Sequence, residues 1–360
     1  MEKITYFIGA GASYHSLPLI RTMNDRMKAF KTFLEMQLKV GKLKHKFSDQ
    51  FIKDLNELIG IETKRTSIDA YAKELSINGE GDAQIKLLRL KALLSSYIIF
   101  EQLIKPEDMA FYSDDYDHTI LPSTRLQLED ELQVMIKTNI DKRYITFWGD
   151  YLTEKNVTLP DNIKILSWNY DMQFESSYSH VKNYSLELSQ QNLQVFPSPQ
   201  KKVDITKSCI LKLNGTAGLI DDNTSMRYYN LFDLREHKLM DNLEYLIELL
   251  EKNYHRSFNK PLFSFAWENE PIVNETRQFA KVIMEETTIL VIIGYSFPTF
   301  NRTVDRKIFD NISKLKKIYY QAPREEMDEL LDKLDGINPN LRAITKPIYN
   351  LSTFHIPNEH

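Results

Sequence analysis

Small and polar residues stand directly after four apolar runs of this sequence, where a predicted strand would end. The first run, 4-ITYFI-8, is followed by a cluster of small residues: Gly9, Ala10, Gly11, Ala12 and Ser13. Small residues let backbone N–H groups approach a pyrophosphate closely, and the positive end of a following helix adds to the attraction. The third glycine of the dinucleotide-binding fingerprint is missing, so the alternative interpretation is a plain strand-to-helix turn.

The second cluster is 169-NYD-171, which follows the apolar run 162-NIKILSW-168. Asn169 and Asp171 stand two residues apart, so both could hydrogen-bond a ligand, for example a ribose hydroxyl and a carboxamide. The alternative is that one of them caps the N-terminus of a following helix, a position that favours Asn and Asp.

The third cluster lies in 210-ILKLNGTAG-218, where an apolar run ends on Asn214 and Gly215. An Asn-Gly pair between alternating apolar residues is a strong signal for a two-residue β-hairpin. The other interpretation is a strand end that presents Asn214 to a ligand. The sequence at this position is compatible with both.

The fourth cluster ends the most apolar run of the chain, 286-ETTILVIIGYS-296. Gly294, Tyr295 and Ser296 suit a backbone that passes close to a ligand. Pro298 and the polar residues after it are equally typical of an ordinary helix start.

The apolar runs that precede these clusters do not alternate with polar residues, so they predict strands that are buried on both faces. Such strands are typical of a parallel sheet covered by helices. A further strand is predicted at 316–322, and helical patterns occupy 21–103, 124–155 and 239–252. A polar break at 78–82 divides the first of these helical regions. The predicted fold is α/β, a doubly wound, Rossmann-like, mostly parallel sheet with a large helical insertion after the first strand. We predict a core of residues 1–20 and 156–360 and an insertion of residues 21–155. Ligands bind outside the carboxyl ends of such strands, so the four clusters should converge.

Composition excludes several classes of protein. The 360 residues are 42% apolar and 27% charged, with a net charge of −4, so nothing marks a nucleic-acid-binding surface. Cys209 is the single cysteine, which rules out an internal disulfide and a cysteine-based zinc cluster. No signal-peptide pattern and no run of about 18 apolar residues is present, so we expect no membrane association and a cytoplasmic location.

Taken together, the four clusters resemble the sirtuin-like domain family, in its bacterial NAD-consuming branch. That family has GAG-x-S, then N-x-D, then His-Gly, then Gly-Ser or Gly-Tyr-Ser, and this chain has GAGAS, WNYD, LNG and GYSFP in the same order. The segment 67-SIDAYAK-73 also resembles the bacterial branch. The resemblance implies an NAD-binding fold that cleaves the bond between nicotinamide and ribose, with NAD as the substrate and no zinc.

The resemblance also assigns roles to residues. Asn169 matches the residue that positions the ribose and the attacking water, and Asp171 matches the one near the carboxamide. A third site position is Asn214, at the place of the family's catalytic histidine. The predicted NAD-contacting set comprises Gly9, Ala10, Gly11, Ala12 and Ser13 on the pyrophosphate loop, Gly294, Tyr295 and Ser296 on the adenosine side, and Asp69 in SIDAYAK.

Asparagine at position 214 leaves three explanations open, because an amide has no titratable nitrogen. Another group could activate water, with His15, Asp69 and His118 as candidates. The chain could instead be a catalytically silent subunit that binds NAD, or Asn214 could be a deliberate replacement of histidine that traps ligand. A zinc-free protein deacylase is a weaker alternative.

The resemblance further implies an effector that depletes NAD during phage infection. Such an effector must stay silent until it is triggered. We therefore expect a homo-oligomer, a partner protein such as a motor ATPase or a nucleotide-binding sensor subunit, or both.

Overall fold

The computed structural model describes residues 2–39, 41–63, 67–79, 81–103, 140–152, 158–221, 226–228, 243–244, 247–248, 251 and 260–359. The chain divides into two compact units. Unit 1 comprises Met1–Ser13, Ile140–Thr216 and Ser264–His360. Unit 2 comprises Tyr14–Asn139 and Ala217–Phe263.

Ten strands are present in the described residues: β1 (Ile4–Ile8), β2 (Ile163–Ser167), β3 (Val195–Phe196), β4 (Cys209–Lys212), β5 (Gly215–Asp221), β6 (Met226–Tyr228), β7 (Lys260–Phe263), β8 (Ile289–Ile293), β9 (Lys317–Gln321) and β10 (Thr345–Ile348). Seven form one sheet in the order β10-β9-β8-β1-β2-β4-β3, with every pair parallel. A second sheet has the order β6-β5-β7, with β5 and β6 antiparallel.

Ten α-helices are described: α1 (Ile20–Lys39), α2 (Ser48–Thr63), α3 (Ile68–Ile77), α4 (Asp82–Leu103), α5 (Lys142–Tyr151), α6 (Gln173–Lys182), α7 (Leu186–Asn192), α8 (Pro271–Glu286), α9 (Arg302–Ile308) and α10 (Met327–Asp335). The first four belong to unit 2 and the other six to unit 1. Short 3-10 helices occupy Ala10–Ser13 and Leu341–Ile344.

Helices cover both faces of the seven-stranded sheet, which confirms the predicted doubly wound α/β fold. Successive side chains of a strand point to opposite faces. Accordingly, Phe7 packs in a core with α8, α9 and α10, whereas Tyr6 and Ile8 pack in a second core with α5 and α6. All five residues of β1 and of β8 are buried, which explains why both strands are apolar on both faces.

β1 lies at the point of the sheet where the order of strand addition reverses. The chain runs from β1 to β2 on one side of it, and later adds β8 on its other side. In open α/β sheets this switch point, at the carboxyl ends of the strands, is where ligands bind. The ends of β1, β2, β4 and β8 carry the four sequence clusters.

Of the two interpretations of Asn214 and Gly215, the structure excludes the hairpin. β4, which precedes the pair, hydrogen-bonds in parallel with β2 and β3, whereas β5, which follows it, pairs with β6 in the other sheet. Gly215 has φ +77°, the left-handed conformation that glycine adopts without strain. The Asn-Gly pair therefore turns the chain out of the parallel sheet.

The predicted boundaries differ from the two units in three places. We predicted 14–20 as part of the core, but this segment groups with unit 2. We assigned 141–155 to the insertion, but α5 belongs to unit 1. There the ring centroids of Phe147 and Tyr6 lie 5.2 Å apart in an edge-on contact, and those of Tyr144 and Phe174 lie 4.6 Å apart. The aromatic face of α5 is the reason, because it is buried in the core of the seven-stranded sheet. We assigned 217–263 to the core, but this segment groups with unit 2.

Within unit 2, helices were predicted across 21–103 with a polar break at 78–82. α3 ends at Ile77 and α4 begins at Asp82, as this pattern predicts. Arg26 and Glu101 form an ion pair that is buried on both sides, and the Tyr97 hydroxyl donates to Glu101 at 2.6 Å. The helix predicted at 124–140 lies almost entirely outside the described residues, as does most of the one predicted at 239–252.

Candidate functional site

Hydrogen bonds within unit 1 bring the strand-end clusters together. The Nδ2 of Asn169 donates to the carbonyl oxygen of Gly9 at 3.0 Å and to the Oγ of Ser13 at 3.3 Å, joining the ends of β1 and β2. The N–H of Gly11 donates to the carbonyl of Gly294 at 2.9 Å, joining the ends of β1 and β8. The clusters thus meet at one edge of the sheet.

The three glycines of the first and fourth clusters are required by close backbone packing. A Cβ on Gly9 would lie 2.6 Å from the Gly294 carbonyl oxygen, and one on Gly11 would lie 2.8 Å from the Gly294 Cα. Gly294 has φ +62°, and a Cβ there would lie 2.3 Å from the backbone nitrogen of Ala12. This contact explains the glycines without a ligand, so their role at a pyrophosphate stays a prediction.

The backbone N–H groups of the first loop are largely engaged within the protein. Gly9 donates to Ile293 at 3.0 Å, and Ala12 donates to Gly9 at 2.9 Å. Ala10 is exposed, whereas Ser13 is buried. Any ligand at this loop meets its exposed turn at Ala10, since Gly9 and Ala12 already have partners for their N–H groups.

Ser13 and Asp171 are linked by a buried hydrogen bond. Ser13 Oγ donates to Asp171 Oδ2 at 2.8 Å, and the Tyr144 hydroxyl, 2.7 Å away, is the donor to Ser13 because serine has one hydrogen to give. Burial, and then the charge of Asp171, raise the pKa of Tyr144 well above its usual value. Asp171 Oδ1 accepts from the N–H of Gln173, the first residue of α6, at 3.0 Å, although the N-cap position itself is Met172.

Asn169 has one acceptor left for a ligand. Its side chain must present Nδ2 to Gly9, because a carbonyl oxygen only accepts hydrogen bonds, and this fixes the orientation of the amide. No hydrogen bond from a described residue reaches Asn169 Oδ1. A hydroxyl group or a water molecule at this oxygen would find an acceptor held in place.

Asn214 joins the third cluster to the second. Its Nδ2 donates to the hydroxyl of Tyr170 at 3.2 Å, and that hydroxyl donates to the carbonyl of Ser264 at 2.9 Å. Its Oδ1 accepts from Nη2 of Arg277 at 2.9 Å. Asn214 is buried, with 6% of its surface exposed, so it is a positioned side chain and not a loop residue in solvent.

Arg277, on α8, is a site residue that the sequence analysis missed. It is 7% exposed and donates to the carbonyl of Leu213 at 2.9 Å through Nε. Burial lowers its pKa, against the opposing effects of Tyr170 and Glu268. A signal was present: Arg277 falls on the buried stripe of α8, four residues after Val273 and three before Ala280.

Two more buried cations support the loops. Lys212 Nζ donates to the Asp171 carbonyl at 2.6 Å and lies 3.2 Å from Glu175, with both side chains fully buried. Burial raises the pKa of Glu175, and Lys212 opposes that effect. Arg143 pairs with Asp141 at 2.5 Å, and its Nη2 also donates to the carbonyls of the first loop, at 2.8 Å for Ala12 and 3.3 Å for Gly11.

The fourth cluster divides into a buried and an exposed part. The ring of Tyr295 is 4% exposed and stacks on Trp168 at 5.8 Å, and its hydroxyl donates to Asp305 Oδ2 at 2.8 Å. The side chain of Tyr295 is therefore a core residue and does not line an open site. Burial raises the pKa of Asp305 well above its usual value. Ser296 is exposed.

The remaining predicted residues lie in unit 2 or outside the described part. Asp69 stands in the first turn of α3, where Ser67 caps the helix by accepting from Ala70 at 3.2 Å, and burial raises the pKa of Asp69. His15 is exposed, with its ring 3.9 Å from that of Tyr14. His118 lies outside the described residues. The roles of these three stay predictions.

Comparison with known proteins gives no family: no family model matches this chain, and no curated protein matches it. Among the described residues, no group of three or more His, Cys, Asp or Glu side chains is arranged to hold a metal ion. None of the helices in the described part of the chain is long and apolar enough to cross a membrane.

Proposed function

We propose that this protein is a sirtuin-like NAD hydrolase that cleaves the bond between nicotinamide and ribose. The observation that carries the proposal is the Asn169 amide, fixed by Gly9 and Ser13 at the junction of β1 and β2 with its Oδ1 free of described donors. It lies at the switch point of a doubly wound sheet, where such folds bind nucleotides. The order of the four clusters supports the same proposal.

The proposed reaction balances without a proton acceptor on the protein. The bond between the ribose carbon and the nicotinamide nitrogen breaks, and both electrons leave with nicotinamide, which departs as a neutral molecule. The ribose becomes cation-like, as in glycoside hydrolysis. Water then adds to that carbon and releases one proton to solvent, which gives ADP-ribose. Asn169 Oδ1 would orient the ribose hydroxyl or this water by accepting a hydrogen bond.

A second candidate function is a silent subunit that binds NAD without cleaving it. The observation in its favour is Asn214, whose amide is engaged on both sides, by Arg277 and by Tyr170, and has no titratable group. The two candidates share the binding site and differ in turnover.

Nicotinamide release from NAD by the purified full chain tests the proposal, with Asn169→Ala as the site variant and Asn192→Ala as its control. Asn192 is exposed and ends α7, so its loss should change nothing. We expect release by the wild type and at least about tenfold less by Asn169→Ala. Both variants should fold, with an unchanged unfolding midpoint for Asn192→Ala and a lower one for Asn169→Ala, because the Gly9 carbonyl loses its donor. Wild-type rates in a folded Asn169→Ala protein would exclude the site assignment.

The same preparation separates the alternatives. NAD binding by calorimetry without nicotinamide release would establish the silent subunit. Release that depends on an acyl-lysine peptide would establish a deacylase instead. We also propose, from the resemblance alone, that NAD cleavage serves antiphage defence through NAD depletion.

A further inference from the structure

Arg277 is a buried cation surrounded by neutral oxygens. Its five N–H hydrogens match five acceptors: the carbonyls of Leu213, Glu268 and Phe265 and the side-chain oxygens of Asn274 and Asn214. No carboxylate of a described residue lies within ion-pair distance of it. Every direction in which this guanidinium donates is therefore occupied by an acceptor.

We infer that Arg277 is a positioning residue that commits position 214 to a hydrogen-bond acceptor and bars an imidazole there from acting as a base. The inference rests on the proposed NAD-cleaving function of this site. It extends that function to the choice of residue at position 214.

The donors and acceptors of an imidazole limit what it can do at position 214. A neutral imidazole has one N–H donor and one accepting nitrogen, and a protonated one has two donors. At position 214 the nitrogen facing Arg277 has to accept, as Asn214 Oδ1 does at 2.9 Å. The hydrogen then sits on the other nitrogen, on the side where Asn214 Nδ2 donates to Tyr170. An imidazole fixed in this tautomer cannot take a proton from water or from a ribose hydroxyl.

Charge acts in the same direction. The charged or titratable groups of described residues around Asn214 are Arg277 on α8, Tyr170 after β2 and Glu268 before α8, while Lys212 on β4 is paired with Glu175. Among the described residues, Arg277 alone contacts the Asn214 side chain as a charge. A neighbouring positive charge disfavours a protonated imidazole. Asparagine satisfies Arg277 without this conflict.

The test combines two substitutions in the full chain: Asn214→His and Arg277→Gln. Glutamine offers a side-chain oxygen that can accept from the imidazole and free its other nitrogen. We expect Asn214→His alone to release nicotinamide no faster than the wild type. We expect Asn214→His with Arg277→Gln to exceed Arg277→Gln alone by at least about tenfold, since general base catalysis typically contributes about 10² to 10⁴. Asn214→His with Arg277→Lys is the control that keeps the charge, and it should stay slow.

The pH profile of nicotinamide release distinguishes a positioning role of Arg277 from a purely stabilising one. The fast double variant should gain a rising limb near the ordinary histidine pKa of about 6.5, which the other variants lack. A gain of about tenfold in Asn214→His alone would overturn the inference.

A second readout does not depend on NAD. In protein labelled with ¹⁵N-histidine, NMR titration of Asn214→His should give a new imidazole with a pKa at least about one pH unit below 6.5 while Arg277 is present. An ordinary or raised pKa would overturn the inference, whether or not the Arg277 variants fold. If the wild type neither binds nor cleaves NAD but the imidazole pKa is low, the proposed function fails and the role of Arg277 stands.

Discussion

Replacing Lys212 by methionine should destabilise unit 1 strongly. Lys212 Nζ lies 3.2 Å from Glu175 and 2.6 Å from the Asp171 carbonyl, and neither side chain of the ion pair is exposed. Methionine keeps the length of the side chain but removes the charge and the donors. The carboxyl group of Glu175 and the carbonyl of Asp171 are then left buried without their partner.

The expected magnitude follows from which partners remain. Removing one member of a buried ion pair costs about 3–5 kcal/mol, because an uncompensated charge stays in the interior. Replacing both members, in Lys212→Met with Glu175→Met, removes that charge. The double variant should lose about 1–3 kcal/mol, the cost of the unsatisfied Asp171 carbonyl. It should therefore be more stable than Lys212→Met alone.

Urea unfolding followed by tryptophan fluorescence measures the difference in unfolding free energy between the single and the double variant, and it reports on unit 1. The three tryptophans, Trp148, Trp168 and Trp267, all lie in unit 1. Lys333→Met is the control, since Lys333 pairs with Glu329 on the surface of α10 and its loss should leave the midpoint unchanged.

The loss of unfolding free energy in Lys212→Met should depend on pH with a definite sign. Burial raises the folded-state pKa of Glu175, so the folded protein holds this proton more tightly than the unfolded chain does. A protonated carboxyl is cheaper to bury, so the deficit of Lys212→Met should shrink as the pH falls toward the ordinary glutamate pKa of about 4.3. The reasoning is refuted if Lys212→Met unfolds like Lys333→Met, or if the double variant is no more stable than the single one.

Three further predictions concern the fold and the assembly. Gly294→Ala should cost at least about 2 kcal/mol of unfolding free energy, because its Cβ would lie 2.3 Å from the Ala12 nitrogen at φ +62°. Gly149→Ala on α5 is the control in the same urea series. A Cβ there meets nothing within 4 Å, so this substitution should be neutral or stabilising. The stability of the wild type relative to Asp305→Asn should fall as the pH rises above about 3.9, since burial raises the folded pKa of Asp305 and the unfolded chain ionises first; parallel urea midpoints across pH would contradict this. Light scattering at micromolar concentration should give an oligomer, and a monomer that is fully active alone would count against that prediction.

The strands and their ends could be predicted because the signal is local. β1, β2, β4, β8 and β9 are buried in a parallel sheet, and such strands are continuous apolar runs that stop where the chain leaves the sheet. β10 was missed because it is a half-buried edge strand that contains Pro347, and proline in a run argues against a strand. β3 has two residues, too few to form a pattern.

The interactions that hold the site could not be predicted in the same way. Arg143 donates to the carbonyls of Gly11 and Ala12, which are more than 130 residues away in the chain. Its partners are backbone atoms, which every residue type has, so no residue type in the sequence marks them. The motif predicted Tyr295 at the site, but its ring packs in the core. There it stacks on Trp168, and its hydroxyl donates to Asp305.

Three buried cations share one task at the carboxyl edge of this sheet. Loops that leave parallel strands carry carbonyl groups without a strand partner, and a buried carbonyl needs a donor. Arg143 supplies one at Ala12, Lys212 at Asp171 and Arg277 at Leu213, each directly beside a strand-end cluster. Arg143 and Lys212 are neutralised by carboxylates, whereas Arg277 has none among the described residues. The sheet edge at Asn214 therefore holds a positive charge with no carboxylate of a described residue in contact with it, which would disfavour a second cation at position 214.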